Sequence, residues 1–179
     1  MNLETKEINE NVSQGGLTVK LRLQYPYAAD KMKRAKRINA FVEKTVGALK
    51  EKALQSARFT YHSCVYSAYE AENGSLCIFF ELTSKGKDKA YAYVPFAFTF
   101  DRDGRAVPLC RPFSKEAYAK AKAAFENRGI KLSKREFAYS YRLTPGGAAV
   151  FASRRRGPGR GGYVKCEYLT ETRNNRTVP

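Results

Sequence analysis

Leu17, Val19, Leu21 and Leu23 alternate with Thr18, Lys20, Arg22 and Gln24. A period of two marks a half-buried strand, and Pro26 is expected to end it. From Asp30, read as an N-cap, the period changes. Ala35, Ile38, Val42, Val46, Leu49 and Ala53 recur every three to four residues and predict one apolar stripe on a helix reaching about Ala53. At 100° per residue, Lys33, Lys36, Arg37 and Lys44 fall on the opposite face.

A hairpin follows. Two strand-like runs, Phe59 to Ala71 and Ser75 to Thr83, flank Asn73-Gly74, which favours a two-residue type I′ turn. In that register Glu70 faces Cys77 and Cys64 faces Thr83. The two cysteines then stand six positions apart, about 20 Å along the strands and out of disulfide reach. A third strand, about Lys89 to Phe100, is rich in aromatics, and Asp101-Arg102-Asp103-Gly104 turns the chain after it. Ser114 caps a second helix carrying Ala117, Ala121, Ala124 and Phe125 on one side, closed by Asn127-Arg128-Gly129. Phe137 to Leu143 and Ala148 to Ala152 form a second hairpin around Thr144-Pro145-Gly146-Gly147. A loop from Arg154 to Gly162 leads to a last strand, Tyr163 to Leu169.

The predicted order is β-α-β-β-β-α-β-β-β. Short turns imply antiparallel neighbours, so the expected fold is α+β, an antiparallel sheet with two helices packed on one face. Residues 1–16 are polar, end in Gly15-Gly16, and are expected to be a flexible lead-in. A single domain is expected over 17–169, with a loose tail over 170–179. Hydrophobic residues make up 43% of the 179, enough for one core without staples.

Charge changes this picture most. Thirty-three Lys and Arg against 17 Asp and Glu give a net charge of +16. Such a field draws acidic protein, nucleic acid or another polyanion and raises encounter rates with them. Two clusters concentrate it. Lys33, Lys36 and Arg37 lie on the first helix, where a charge run is ordinarily a solvated face. Arg154, Arg155, Arg156 and Arg160 flank the Gly/Pro stretch 157–162, and guanidinium groups suit bidentate capture of carboxylate or phosphate. These seven are the expected anion or partner contacts. That glycine-rich stretch lacks the Lys-Ser/Thr ending and following helix of a phosphate loop.

Catalytic chemistry finds little footing. His62 is the only histidine. On a strand it diverges from Ser63 but shares a face with Cys64, and a Cys–His pair would still need an orienting group and an oxyanion hole. Glu70 and Glu81 show no sign of a matched acid–base pair, and Asp101 and Asp103 read as turn-makers. Cys64, Cys77, Cys110 and Cys166 include no CxxC pair, which argues against structural zinc. The aromatic strand fits a core better than a base-stacking platform. The expectation is therefore no enzyme, no metal and no cofactor. No apolar run reaches the about 20 residues of a membrane span, and the polar start has no secretory h-region. A complete chain would be cytoplasmic; one trimmed of an export signal would be extracytoplasmic.

These elements carry a resemblance. A strand ending Tyr25-Pro26, a helix with Ile38-Asn39, the Asn73-Gly74 hairpin, Phe98-Thr99-Phe100-Asp101 with Gly104, Leu109 to Phe113, then Leu143-Thr144 and Gly146-Gly147 follow one another. The chain resembles the RsiV-type C-terminal domain over roughly 17–169. That domain is the outer part of a lysozyme-sensing anti-sigma factor and accompanies some peptidoglycan deacetylases. The resemblance implies a binding or sensing module without catalytic residues. It does not extend to lysozyme, a strongly basic protein that a +16 chain repels. Arg111-Pro112 also stand where the family has an acidic residue before its Phe, here Phe113.

Overall fold

The computed structural model describes residues 1–14, 16–56, 58–87, 90–107, 115–127, 129–130, 141–144, 147–156 and 160–166. The elements run β1 (Leu3–Gln14), β2 (Leu17–Ala28), α1 (Lys33–Leu54), β3 (Tyr61–Glu70), β4 (Leu76–Lys85), β5 (Tyr91–Phe100), α2 (Lys115–Glu126), β6 (Tyr141–Thr144), β7 (Gly147–Arg156) and β8 (Arg160–Cys166). The fold is α+β, in the expected order with one strand added at the front. Five strands form a mostly antiparallel sheet, β1-β2-β3-β4-β5, and β6-β7-β8 form a second sheet. The chain divides into two compact units, Met1–Tyr66 with Phe80–Val94, and Ser67–Phe79 with Pro95–Pro179. The division falls within β3, β4 and β5.

In the first unit the expected lead-in is a strand. β1 pairs antiparallel with β2 from Leu3↔Ala28 to Gln14↔Leu17, and Gly16 stands just before β2 at φ 78°. Gly-Gly between two runs is itself a hairpin signal. The signal is weak in the sequence because β1 is an edge strand with few apolar positions and several charges, as edge strands are. Two of its charges are engaged: Glu10 meets Lys50 at 2.7 Å, and Lys6 lies 3.6 Å from Glu43 and 3.3 Å above the Tyr27 ring.

β2 runs through Pro26 rather than stopping there. It pairs in parallel with β3 only from Lys20↔Tyr61 to Leu23↔Cys64. Pro26 lies beyond that stretch, where its missing N–H costs no bond to β3. The parallel pair needs a crossover, and α1 supplies it. The predicted stripe is the buried one, with Ala35, Ile38, Val42, Val46 and Ala53 joined by Asn39. They pack along β2, whose Val19, Leu21 and Leu23 are also buried. Each full burial of such a side chain contributes about 1.5–3 kcal/mol. The helix starts later than expected. Met32 stands at the N-cap without a side-chain bond, and Asp30 makes no cap. The entry is fixed instead by Asn39. Its Oδ1 accepts from Ala28 N–H at 2.8 Å and its Nδ2 donates to Ala28 O at 3.0 Å.

The second unit holds the turn between β3 and β4. Ala71 N–H donates to Ser75 O, and Gly74 N–H, at φ 79°, to Ala71 O, both at 2.8 Å. This is a three-residue loop with glycine in the left-handed position, the bulged alternative to the type I′ turn. The extra residue moves the strands by one from the expected facing of Glu70 with Cys77. Asp101 turns the chain as predicted, its Oδ1 accepting from Asp103 N–H at 2.9 Å and Arg105 N–H at 2.8 Å. The close of α2 is also as predicted. Ile130 N–H reaches Phe125 O and Gly129 N–H reaches Glu126 O, with Gly129 at φ 69°, a Schellman end. Ala121 and Phe125 are buried, and Tyr141 is too, its hydroxyl donating to Val107 O at 2.9 Å. The Ser114 cap, the strand positions 137–140 and 167–169, and the tail 170–179 lie outside the described residues. Among those described, no helix is long and apolar enough to cross a membrane.

Replacing Asn39 with Ala strands two buried backbone groups of Ala28. At about 1–3 kcal/mol for an unmet buried group, urea unfolding should show a loss of about 2–3 kcal/mol, against under ~0.5 kcal/mol for the exposed Lys36→Ala.

Candidate functional site

The two basic clusters belong to different units and take different local forms. Lys33 and Lys36 are exposed and Arg37 half-buried on the first turns of α1. That turn contains no acid. Cations there oppose the positive end of the helix dipole, by about 0.3–1 kcal/mol each at an exposed position, so positive charge is concentrated at this end of the helix.

The Arg/Gly segment is not the loop expected. β7 continues through Arg156 and β8 begins at Arg160, with register Arg154↔Gly162, Arg155↔Gly161 and Arg156↔Arg160. Gly161 and Gly162 are strand members, and residues 157–159 lie outside the described ones. The order follows from the ladder: β7 is held on its other side by β6, from Tyr141↔Val150 to Thr144↔Gly147. Alternation then puts Arg154, Arg156 and Arg160 at positions on one face of the hairpin and Arg155 on the other. Arg156 and Arg160 are directly opposite, with backbone sites about 5 Å apart.

The histidine and cysteines are engaged elsewhere. His62 is buried, its Nδ1 2.8 Å from Ser84 Oγ, with Phe59 edge-on at 6.1 Å. Burial removes water from the ring and pushes its pKa below the ordinary histidine value; the carbonyls of Phe59 and Ala53 oppose this without cancelling it. Cys64 is buried as well, as its place two residues along the strand predicts. Burial pushes its thiol up to about 12, with the Glu81 carboxylate adding to the shift, and its Sγ is 3.9 Å from Val65 O. A thiol held neutral is a poor nucleophile. Glu81 accepts a hydrogen bond from the Tyr93 hydroxyl. Among the described residues, no group of three His, Cys, Asp or Glu is placed to hold a metal ion.

One charged residue escaped the sequence reading. Arg142 follows the buried Tyr141 on β6, and its guanidinium lies 5.0 Å above the Phe79 ring. Its Nε is buried and has no hydrogen-bond partner. It borders a cleft of about 250 Å³ lined by Ser67, Ala68, Tyr69, Cys77, Phe79 and Leu143. Cys77 is the floor, buried and accepting from Leu143 N–H at 3.3 Å. Nothing in the local sequence marks Arg142, because its significance comes from Phe79, distant in the chain.

Comparison with known proteins finds likeness in structure alone. No family model matches the chain, and no curated protein matches it. A DUF3298 family protein from Pseudomonas aeruginosa superposes with a TM-score of 0.57 at 14% identity, over 84% of this chain and 83% of its own. A DUF3298 member from Bacteroides fragilis aligns at 0.43 and 12%, over 93% and 90%. The Pseudomonas likeness establishes a shared fold.

Two predictions rest on these buried groups. His62 is the chain's only histidine, and its depressed pKa means that the unfolded chain binds its proton first. Stability is therefore full above the ordinary value of 6.5 and falls as pH drops below it. Urea midpoints should decline between about pH 7 and pH 5, and His62→Gln should flatten that slope. Mass mapping after brief iodoacetamide treatment of the native protein should find Cys64 and Cys77 unmodified, with both alkylated in urea.

Proposed function

We propose that the protein is a non-catalytic binding module for an acidic partner, a protein or another polyanion, engaged through the outer end of the β7–β8 hairpin. The carrying observation is the cross-strand opposition of Arg156 and Arg160, with Arg154 at the next same-face position. Like charges directly opposite destabilise a hairpin by up to about 1 kcal/mol. A carboxylate or phosphate received between them removes that penalty and gains bidentate hydrogen bonds. Arg155 serves the opposite face. Lys33, Lys36 and Arg37, at the acid-free start of α1, form a second contact area on the other unit.

The RsiV-type resemblance supports the same reading. The fold shared with a DUF3298 protein belongs to a domain type related to that one. Kinship of this kind implies sensing or binding without catalysis, which fits a neutral buried His62 and a Cys64 thiol held protonated. Lysozyme is a poor candidate ligand because a +16 chain repels it.

The test is fluorescence anisotropy with labelled poly-glutamate at fixed salt. Changing Arg154, Arg156 and Arg160 together to Gln should weaken binding severalfold or more, with a smaller loss for Lys33, Lys36 and Arg37. Unchanged affinity in the arginine variant would remove the hairpin from the interface. Duplex DNA serves as the second arm. Binding tighter than that of poly-glutamate, with log K falling linearly and steeply in log salt, would turn the reading to nucleic acid.

A further inference from the structure

We propose that the cleft beside Arg142 is a site for a small carboxylate with an apolar body. It is separate from the hairpin contact and stands or falls independently of it. Three observations carry it. First, the lining is mostly apolar: Ala68, Cys77, Phe79 and Leu143, with Tyr69 along one side. At about 250 Å³ it is smaller than a drug-sized pocket, roughly 300–1,000 Å³, so the ligand is a single ring or a short branched chain. Second, one cation borders it. Phe79 covers a face of the Arg142 guanidinium, and such stacking leaves the in-plane N–H donors for a ligand. Third, the Nε donor of Arg142 is buried without a partner. A buried donor is normally satisfied, and a carboxylate oxygen is the acceptor that also supplies the missing counter-charge.

The remaining polar groups agree with this ligand. Ser67 and Tyr69 lie two apart on β3 and both line the cleft; a hydroxyl of this kind can donate to the second carboxylate oxygen. Cys77 is not a competitor for the ligand's acid. Burial raises its thiol pKa, opposed in part by Leu143 N–H, Thr99 and Arg142, so it enters the cleft as a neutral, apolar sulfur. Among the described residues no acidic side chain lines the cleft, so none of those neutralises Arg142 in advance. A neutral apolar ligand would leave the Nε donor unmet, and a bare inorganic anion would leave the apolar wall wet.

The experiment is an amide chemical-shift titration of the whole chain with phenylacetate, phenylacetamide and inorganic phosphate in parallel. Phenylacetate should shift Ala68, Tyr69, Cys77 and Leu143 saturably, with a Kd of about 1 mM for so small a ligand. Phenylacetamide and phosphate should bind these positions at least about tenfold more weakly. Arg142→Gln should abolish the acid's advantage over the amide, and Arg142→Lys should restore part of it. Equal binding of acid and amide would reduce the cleft to an apolar groove, and equal binding of phosphate would reduce Arg142 to general attraction of anions. Either result overturns the proposal, as does an unchanged titration in Arg142→Gln. Should that variant fail to fold, the acid–amide comparison on the unaltered chain still decides.

Discussion

A single buried amide organises the first unit. Asn39 holds both backbone groups of Ala28, at the point where β2 ends and the crossover to β3 begins. A parallel strand pair is possible only if the intervening chain returns along the sheet. α1 makes that return, and its apolar stripe needs a fixed starting position to meet Val19, Leu21 and Leu23. With no capping side chain at Met32, the helix takes its position from Asn39. The amide contributes through its two hydrogen bonds to Ala28, and so to registration more than to apolar burial.

Much of this arrangement was legible because it is periodic. The α1 stripe, the alternation in β2 and the Schellman close of α2 at Gly129 all follow from local spacing. The failures share a cause, since each depended on a partner strand. β1 has too few apolar residues to declare itself, yet twelve residues of β2 are available to pair with it. Pro26 reads as a terminator until the short extent of the β2–β3 pairing is known. The Asn73-Gly74 turn was recognised, but its length depends on whether Glu72 joins the loop, and this set the register one residue away from expectation.

The candidate sites divide in the same way. Charge clusters are visible in composition, so Lys33, Lys36, Arg37 and the four hairpin arginines could be named in advance. Their arrangement could not. Gly161 and Gly162 look like loop residues, and only pairing with β7 reveals that Arg156 and Arg160 face one another. Arg142 is the opposite case, an unremarked residue in a short strand. Its environment is made by Phe79 and Cys77, which come from the other side of the unit's sequence.

The charged edge at β1 bears on how a partner can be read. An unpaired strand edge is a backbone template, and any extended chain can add to it with little regard for side chains. Here that edge carries three acids and a lysine, some already tied to α1 through Lys50–Glu10 and Lys6–Glu43. Strand addition at that border is penalised. At this border, then, a partner of the kind proposed above would have to be selected by side-chain charge and shape and not by a shared peptide backbone.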